Sequence, residues 1–184
     1  MTGPADWFRE RLLVLRCQAG DQLAFEELVI LYQPRLRYFL RTMLREDRDV
    51  DDLLQEIWLD VYRGLARLSD PVAFAAWLYR IARNRTFRQL RKRHLSLRSL
   101  DGIDLPADPG DEALFSAEEA ESIHLALDRL SEEHREVLLL RFIEEMSYED
   151  IARVTDCSVG TVRSRLHYAK RTLRHVIERM NHHE

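Results

Sequence analysis

Apolar residues recur at intervals of three and four along most of the chain, so nearly every segment reads as helix. A short helix is expected from about Trp7 to Arg16. Asp21 stands as the N-cap of a longer one carrying Phe25, Leu28, Val29 and Tyr32. Pro34 fits the first turn of its continuation, which carries Leu36, Phe39, Leu40 and Met43. Asp49 can cap the next helix, whose stripe is Val50, Leu53, Leu54, Ile57, Val61 and Leu65. Another begins after Asp70-Pro71 with Phe74, Trp77, Leu78 and Ile81. There the stripe stops. Basic residues occupy most faces from Arg83 to Arg93, so this stretch is expected not to be deeply buried on any side.

Leu100 to Phe115 has Asp101-Gly102, Pro106, Pro109-Gly110 and little periodicity, which marks a linker. Helical signals resume with the capping-box pattern Ser116-Ala-Glu-Glu119, followed by Ile123, Leu125, Leu127 and Leu130. Ser131 heads a helix with Val137, Leu138, Leu140 and Phe142. Ser147 heads a short one with Tyr148, Ile151 and Ala152, and Ser158 a last one with Val159, Val162, Leu166, Ala169, Leu173 and Ile177. The expected fold is all-α: two small helical domains, 1–95 and 116–184, joined by a flexible acidic linker at 96–115.

Composition narrows the class. Of 184 residues 46% are hydrophobic, enough for a core, and 6 Gly and 5 Pro are too few for a β-sandwich. No uncharged stretch is long enough to cross a membrane, and no secretion signal opens the chain. Cys17 and Cys157 are too few for a disulfide framework, so they read as core or turn residues in a reducing, cytoplasmic setting. The terminal His182-His183 pair reads as a frayed end.

The net charge of −4 averages opposed blocks. Arg80, Arg83, Arg85, Arg88, Arg91, Lys92, Arg93 and Arg98 fall in a span without an acid, and an acidic span without Arg or Lys follows from Asp101 to Ser122. Basic residues return between Arg153 and Arg179. Two basic blocks split by an acidic spacer point to two contacts with a polyanion.

Ser147 to Lys170 reads SYEDIARVTDCSVGTVRSRLHYAK. A short helix, a turn at Thr155-Asp156-Cys157 and a second capped helix form a helix-turn-helix pattern, with small Ala152 where the helices cross. Projected at ~100° per residue, the apolar positions of the second helix share one side. Thr161, Ser164, Tyr168 and Arg171 fall opposite, with His167 beside them and Arg163, Lys170 and Arg165 at the edges. Thr161, Arg163, Ser164 and His167 are assigned to base edges, and Arg165, Lys170 and Arg171 to the phosphate backbone.

The stretch Trp77 to Arg93 mixes cations, including Arg80 and Arg88, with Asn84, Gln89 and aromatics. Cations suffice for duplex DNA; amides and aromatics add base contacts to unpaired strands. Phe74 and Trp77 sit on the apolar stripe and read as core. The loop before this helix, with Ser69 and Asp70, can pocket a flipped-out base. On the preceding helix Asp49, Asp52, Glu56 and Asp60 form an acidic stripe with Leu59 beside it. It reads as a solvated face, as a dock for a basic protein surface, or as a divalent-ion site.

With these segments in hand, the chain from about Ala19 to Ile177 resembles bacterial RNA polymerase sigma factors of the extracytoplasmic-function class. AGDQLAFEELVILYQPRLRYFL is similar to the start of sigma region 2. DVDDLLQEIWLDVYRGL resembles the part that grips the clamp helices of the polymerase β′ subunit, with Asp52, Gln55 and Glu56 on the family's DxxQE motif. FAAWLYRIARNRTFRQLRKR resembles the part that opens and reads the −10 element, and LSEEHREVLLLRFIEEMSYEDIARVTDCSVGTVRSRL resembles region 4, which reads the −35 element. The resemblance implies a dock at Asp49, Asp52, Gln55, Glu56 and Leu59, and −10 contacts at Ser69, Asp70, Arg80, Asn84 and Arg88. It also implies −35 contacts among the residues assigned above. Its partners would be core RNA polymerase (β′ clamp helices and β flap), promoter DNA and an anti-sigma factor, without membrane insertion. Ala75-Ala76 before the tryptophan, and Tyr168 where relatives are often basic, depart from the pattern. No nucleophile–base pair or phosphate loop is present, so binding without a cofactor or metal is expected, not catalysis. The alternative is a stand-alone helix-turn-helix regulator.

Overall fold

The computed structural model describes residues 4–45, 48–98 and 125–181, with side chains for 7–45, 48–93 and 125–175. The linker, the Ser116 capping box, Ile123, the Ile177 side chain and His182-His183 lie outside them. All described elements are helical. Helix α1 (Pro4–Gln18) and α2 (Gln22–Leu44) form a hairpin on which α3 (Val50–Gly64) and α4 (Phe74–Arg98) pack. Then come α5 (Glu132–Leu138), α6 (Tyr148–Thr155) and α7 (Val159–Asn181).

Local chemistry sets most boundaries as expected. The Asp21 carboxylate accepts from the Ala24 amide at 3.2 Å, and α2 ends with Arg45 in the left-handed region at φ 58°. Pro34 does not start a new helix; it lies inside a continuous one. Proline deprives the Ile30 carbonyl of its helical donor. Ile30 and Pro34 are both exposed, so water can take that place. Tyr32, Leu36, Phe39 and Leu40 are buried on the opposite face, and at ~1.5–3 kcal/mol per large apolar side chain their packing outweighs one lost bond. The rings of Tyr32 and Phe74, and of Phe39 and Tyr79, meet edge to face at 5.4 Å.

The stretch 83–93 corrects the expectation that it would be shallow on every side. Thr86 and Leu90 are buried, and Phe87 is half-buried. The arginines make this possible because their heads reach carboxylates on neighbouring elements while their stems cover apolar surface.

In the C-terminal half, α5 runs into one π-helical turn, Leu139–Ile143, closed by the Glu144 amide on the Leu139 carbonyl at 3.1 Å. Leu139 and Leu140 are buried, whereas Phe142 and Ile143 face outward. One hydrophobic cluster runs from the α1–α4 half into the α5–α7 half without a break.

Candidate nucleic-acid interface

The two serine caps that define the helix-turn-helix are present. Ser147 Oγ accepts from the Asp150 amide and Ser158 Oγ from the Thr161 amide, both at 3.0 Å. Between them Asp156 adopts φ 53°, and the Cys157 amide closes the end of α6 on the Ala152 carbonyl at 3.2 Å. Val162, Leu166 and Ala169 face inward, so Arg163, Ser164, His167, Tyr168, Lys170 and Arg171 are left exposed on one helix surface. Ser164 Oγ donates to the Gly160 carbonyl at 3.1 Å, which leaves its oxygen free to accept from a base amino group. Thr161 is half-buried and shares a 2.9 Å hydrogen bond with Ser158. The rings of His167 and Tyr168 meet edge to face at 5.5 Å.

Arg165 departs from the expected rim. It is half-buried, its NH1 nitrogen is shut off from water, and its charge acts on Glu136 of α5. It lies on the inner side of α7, away from the surface that carries Arg171.

On α4, Arg80, Asn84 and Arg88 are exposed at intervals of four, a single stripe. Two other cations are held by acids: Arg85 binds Glu56 and Asp60, and Arg93 binds Asp49 at 2.7 Å. Ser69 and Asp70 are exposed in the loop before α4. One oxygen of Asp70 caps the following turn through the Val72 amide at 2.9 Å, so its second oxygen is the available one. Trp77 is half-buried, whereas Phe74 is fully buried.

The acidic stripe on α3 is divided by these pairs. Asp49 occupies the N-cap position but makes no cap bond; Gln89 and Arg93 hold its carboxylate, at 2.8 and 2.7 Å, and keep it below the usual carboxylate range. Glu56 is exposed yet paired with Arg85. Asp52, Gln55 and Leu59 stay exposed on the outward face. Among the described residues no three acidic, histidine or cysteine side chains are grouped to hold a metal ion. None of their helices is long and apolar enough to cross a membrane.

Residues 28–95 match the family described as Sigma-70 region 2, and residues 120–173 match Sigma-70, region 4. The RNA polymerase sigma-H factor of Pseudomonas aeruginosa is 34% identical over 177 residues, covering 90% of this chain and 92% of that protein. The ECF RNA polymerase sigma-E factor of Escherichia coli is 32% identical over 176 residues, covering 89% and 92%. The chain belongs to the extracytoplasmic-function sigma factors. Its fold is also similar to a solved sigma factor, RpoE of Bartonella quintana in complex with the anti-sigma factor NepR. That similarity has a TM-score of 0.75 at 27% identity, over 84% of this chain and 96% of that one.

This sigma factor also carries polar groups between its halves that its motifs do not point to. Arg135 of α5 is fully buried and has no carboxylate partner among the described residues. It donates to the Thr42 and Met43 carbonyls at the end of α2, at 3.0 and 3.4 Å, and to Leu127 and Leu130 at 3.0 and 3.1 Å. Those two α2 carbonyls lack helical donors and sit at the negative pole of the helix, where a cation is favoured. Burial lowers the guanidinium to about 10. Its neighbour Glu136 is also fully buried, 2.9 Å from Arg83 of α4. That contact lies off the N–H direction and is an ion pair without hydrogen-bond geometry. Burial pushes Glu136 up to about 7 against the pull of Arg83 and Arg165. Glu144 pairs with Arg35 of α2 at 2.8 Å, and burial raises it too. A sequence signal existed: Arg135 and Glu136 stand four residues before Leu139 and Leu140, on the apolar face of their helix.

Proposed function

We propose that this sigma factor binds core RNA polymerase and directs it to promoters, where it reads two elements and favours strand opening. The observation that carries the reading is the separation of free surfaces. Asp52, Gln55 and Leu59 are exposed on α3, Arg80, Asn84 and Arg88 on α4, and Arg163, Ser164, His167, Tyr168, Lys170 and Arg171 on α7. The acidic surface suits a basic protein dock, and the two cationic surfaces suit DNA.

In this reading residues 1–95 hold the dock and the −10 reader, and 116–184 form the −35 reader. The α3 dock grips the β′ clamp helices through Asp52, Gln55, Glu56 and Leu59, with Asp49 bracing α3 against α4. The second half meets the β flap. Arg163, Ser164 and His167 contact base edges in the major groove, Thr161 supports the first turn of α7, and Lys170 and Arg171 hold phosphates. Ser69 and Asp70 border the pocket for an unpaired base, and Arg80, Asn84 and Arg88 track the strand beside it.

Opening DNA costs ~1.4 kcal/mol per base-pair step, and holding an unstacked base returns ~1–3 kcal/mol, so binding energy alone can sustain a short melted region. The protein acts by binding, in the cytoplasm, and relatives solved with anti-sigma factors point to a partner of that kind for this chain. Transcription from genomic fragments with purified core polymerase tests the reading. Core plus this protein should select defined start sites, and Asp52→Arg with Leu59→Asp should abolish selection. Specific, tight promoter binding by the isolated protein, unchanged by core, would instead indicate a stand-alone regulator.

A further inference from the structure

A cavity of about 540 Å3 lies between the first turns of α4 and the end of α6. That volume falls inside the ~300–1,000 Å3 range of sites for small molecules. Leu68 and Ala152 supply apolar wall, Trp77 supplies an indole ring, and Arg80, Arg153 and Asp156 bring charge. The indole is half-buried and held from two sides. Its ring centroid lies 6.2 Å from that of Phe74, and its edge sits so close to Gly64 that a Cβ there would come within 2.8 Å. A fixed aromatic ring beside a cavity is a platform on which a flat ligand stacks without ordering the side chain first.

The charges select the rest of the ligand. Arg80 stands three residues after Trp77, one turn along the same face of α4, and pairs with no acid among the described residues. Arg153 reaches the cavity from α6 and uses one nitrogen on Asp150 at 2.8 Å. Two guanidiniums lining one cavity suit a phosphate group. Asp156 stands where α6 ends, and its carboxylate has no partner among the described residues. A helix end of that polarity disfavours phosphate and favours N–H donors. Among the common bases guanine alone presents two adjacent donors, N1–H and the N2 amino group, to a carboxylate. Adenine and cytosine set an acceptor lone pair beside their amino group, and uracil flanks its single N–H with two carbonyls; each repels the second carboxylate oxygen.

We propose that this cavity binds a guanine nucleotide, with the base stacked on Trp77, its two donors on the Asp156 carboxylate and its phosphate on Arg80 and Arg153. Two sources offer this chemistry: a free nucleotide, or an unpaired guanine within a strand. Binding is a property of the chain by itself and does not rest on the promoter-directing role above. It bears on that role through Arg80, which shares an exposed stripe with Asn84 and Arg88. A free nucleotide that holds Arg80 competes with a strand for the same guanidinium.

Isothermal titration of the full chain with GDP, ADP, UDP and guanosine tests the site. GDP should bind at micromolar concentration, about tenfold or more tighter than ADP or UDP, and should change tryptophan fluorescence. Asp156→Asn keeps a side chain that tolerates the left-handed backbone and should bring GDP to the ADP level while leaving ADP unchanged. Arg80→Gln should weaken GDP and ADP alike and shrink the advantage of GDP over guanosine. Circular dichroism checks the fold of each variant; if Asp156→Asn unfolds, Arg80→Gln decides by the comparison with guanosine. Competition with an oligothymidine carrying one central guanine separates the sources: displacement of GDP assigns the site to a strand as well, and no displacement assigns it to the free nucleotide. Absence of GDP binding at about 1 mM, equal affinity for GDP and ADP, or a guanine preference that survives Asp156→Asn would overturn the proposal. None of these measurements needs polymerase, so a failure to bind core would sink the functional role and leave the nucleotide site readable.

Discussion

Arg165 and Arg171 occupy the same basic segment, yet Arg171 is exposed while Arg165 is half-buried and its charge acts on Glu136. Salt dependence separates them. Each phosphate contact contributes ~0.9 to the slope of log affinity against log salt. Between 50 and 200 mM salt, log salt changes by ~0.6, so one lost contact removes ~0.5 log unit, about 3.5-fold, from the total fall. Arg171→Gln in the holoenzyme should flatten the slope by ~0.9 on a fragment selected by transcription. Arg165→Gln should leave the slope unchanged. Fluorescence anisotropy at five or six salt concentrations resolves a difference of this size. An equal flattening by Arg165→Gln would show that the residue leaves Glu136 to reach phosphate, and the inward placement would carry no functional weight.

Stability should respond to pH through Glu136, which faces Arg83 on α4, Arg165 on α7 and Glu133 on its own helix. Its value rises from 4.5 to about 7 on burial, so the folded chain binds the proton more tightly than the unfolded one. That contribution is complete below 4.5, declines through the interval up to about 7 and is lost above it. The urea midpoint should therefore be lower at pH 8 than at pH 6, and Glu136→Gln should shrink that difference; an equal difference in the variant would assign the pH response to other groups. Ser158→Ala removes the cap of α7 and should cost ~1 kcal/mol, or about 2–4 °C in Tm, by circular dichroism; an unchanged Tm would deny the cap its weight. A Cβ at Gly64 would come within 2.8 Å of the Trp77 ring. Gly64→Ala should therefore displace Trp77, shift tryptophan fluorescence and cost ~1–3 kcal/mol in urea denaturation.

Capping and periodicity are local, which is why α2, the turn at Asp156 and the outward face of α7 were legible in order of residues. Partner choice among charges is not. Nothing near Asp49 in sequence indicates that Arg93 and Gln89 will take its carboxylate, because those residues come from a helix forty positions on. The same holds for Arg85 on Glu56 and Asp60, which narrows the acidic surface. Arg83 to Arg93 reads as a helix too cationic to bury until the carboxylates that neutralise it are placed around it. Arg165 looks like any rim cation on a helical wheel; its inward turn depends on Glu136, buried by the packing of both halves.

The widened turn at Leu139–Ile143 has a consequence for how this molecule can vary. It absorbs one surplus residue: the Glu144 amide reaches the Leu139 carbonyl five positions back, where an ordinary turn spans four. Deleting Phe142 would let the same two groups close an ordinary turn, with Glu144 still opposite Arg35 and one exposed ring gone. A one-residue loss is thus swallowed at this spot, whereas the same loss inside α7 would turn the later part of its outward surface by ~100°.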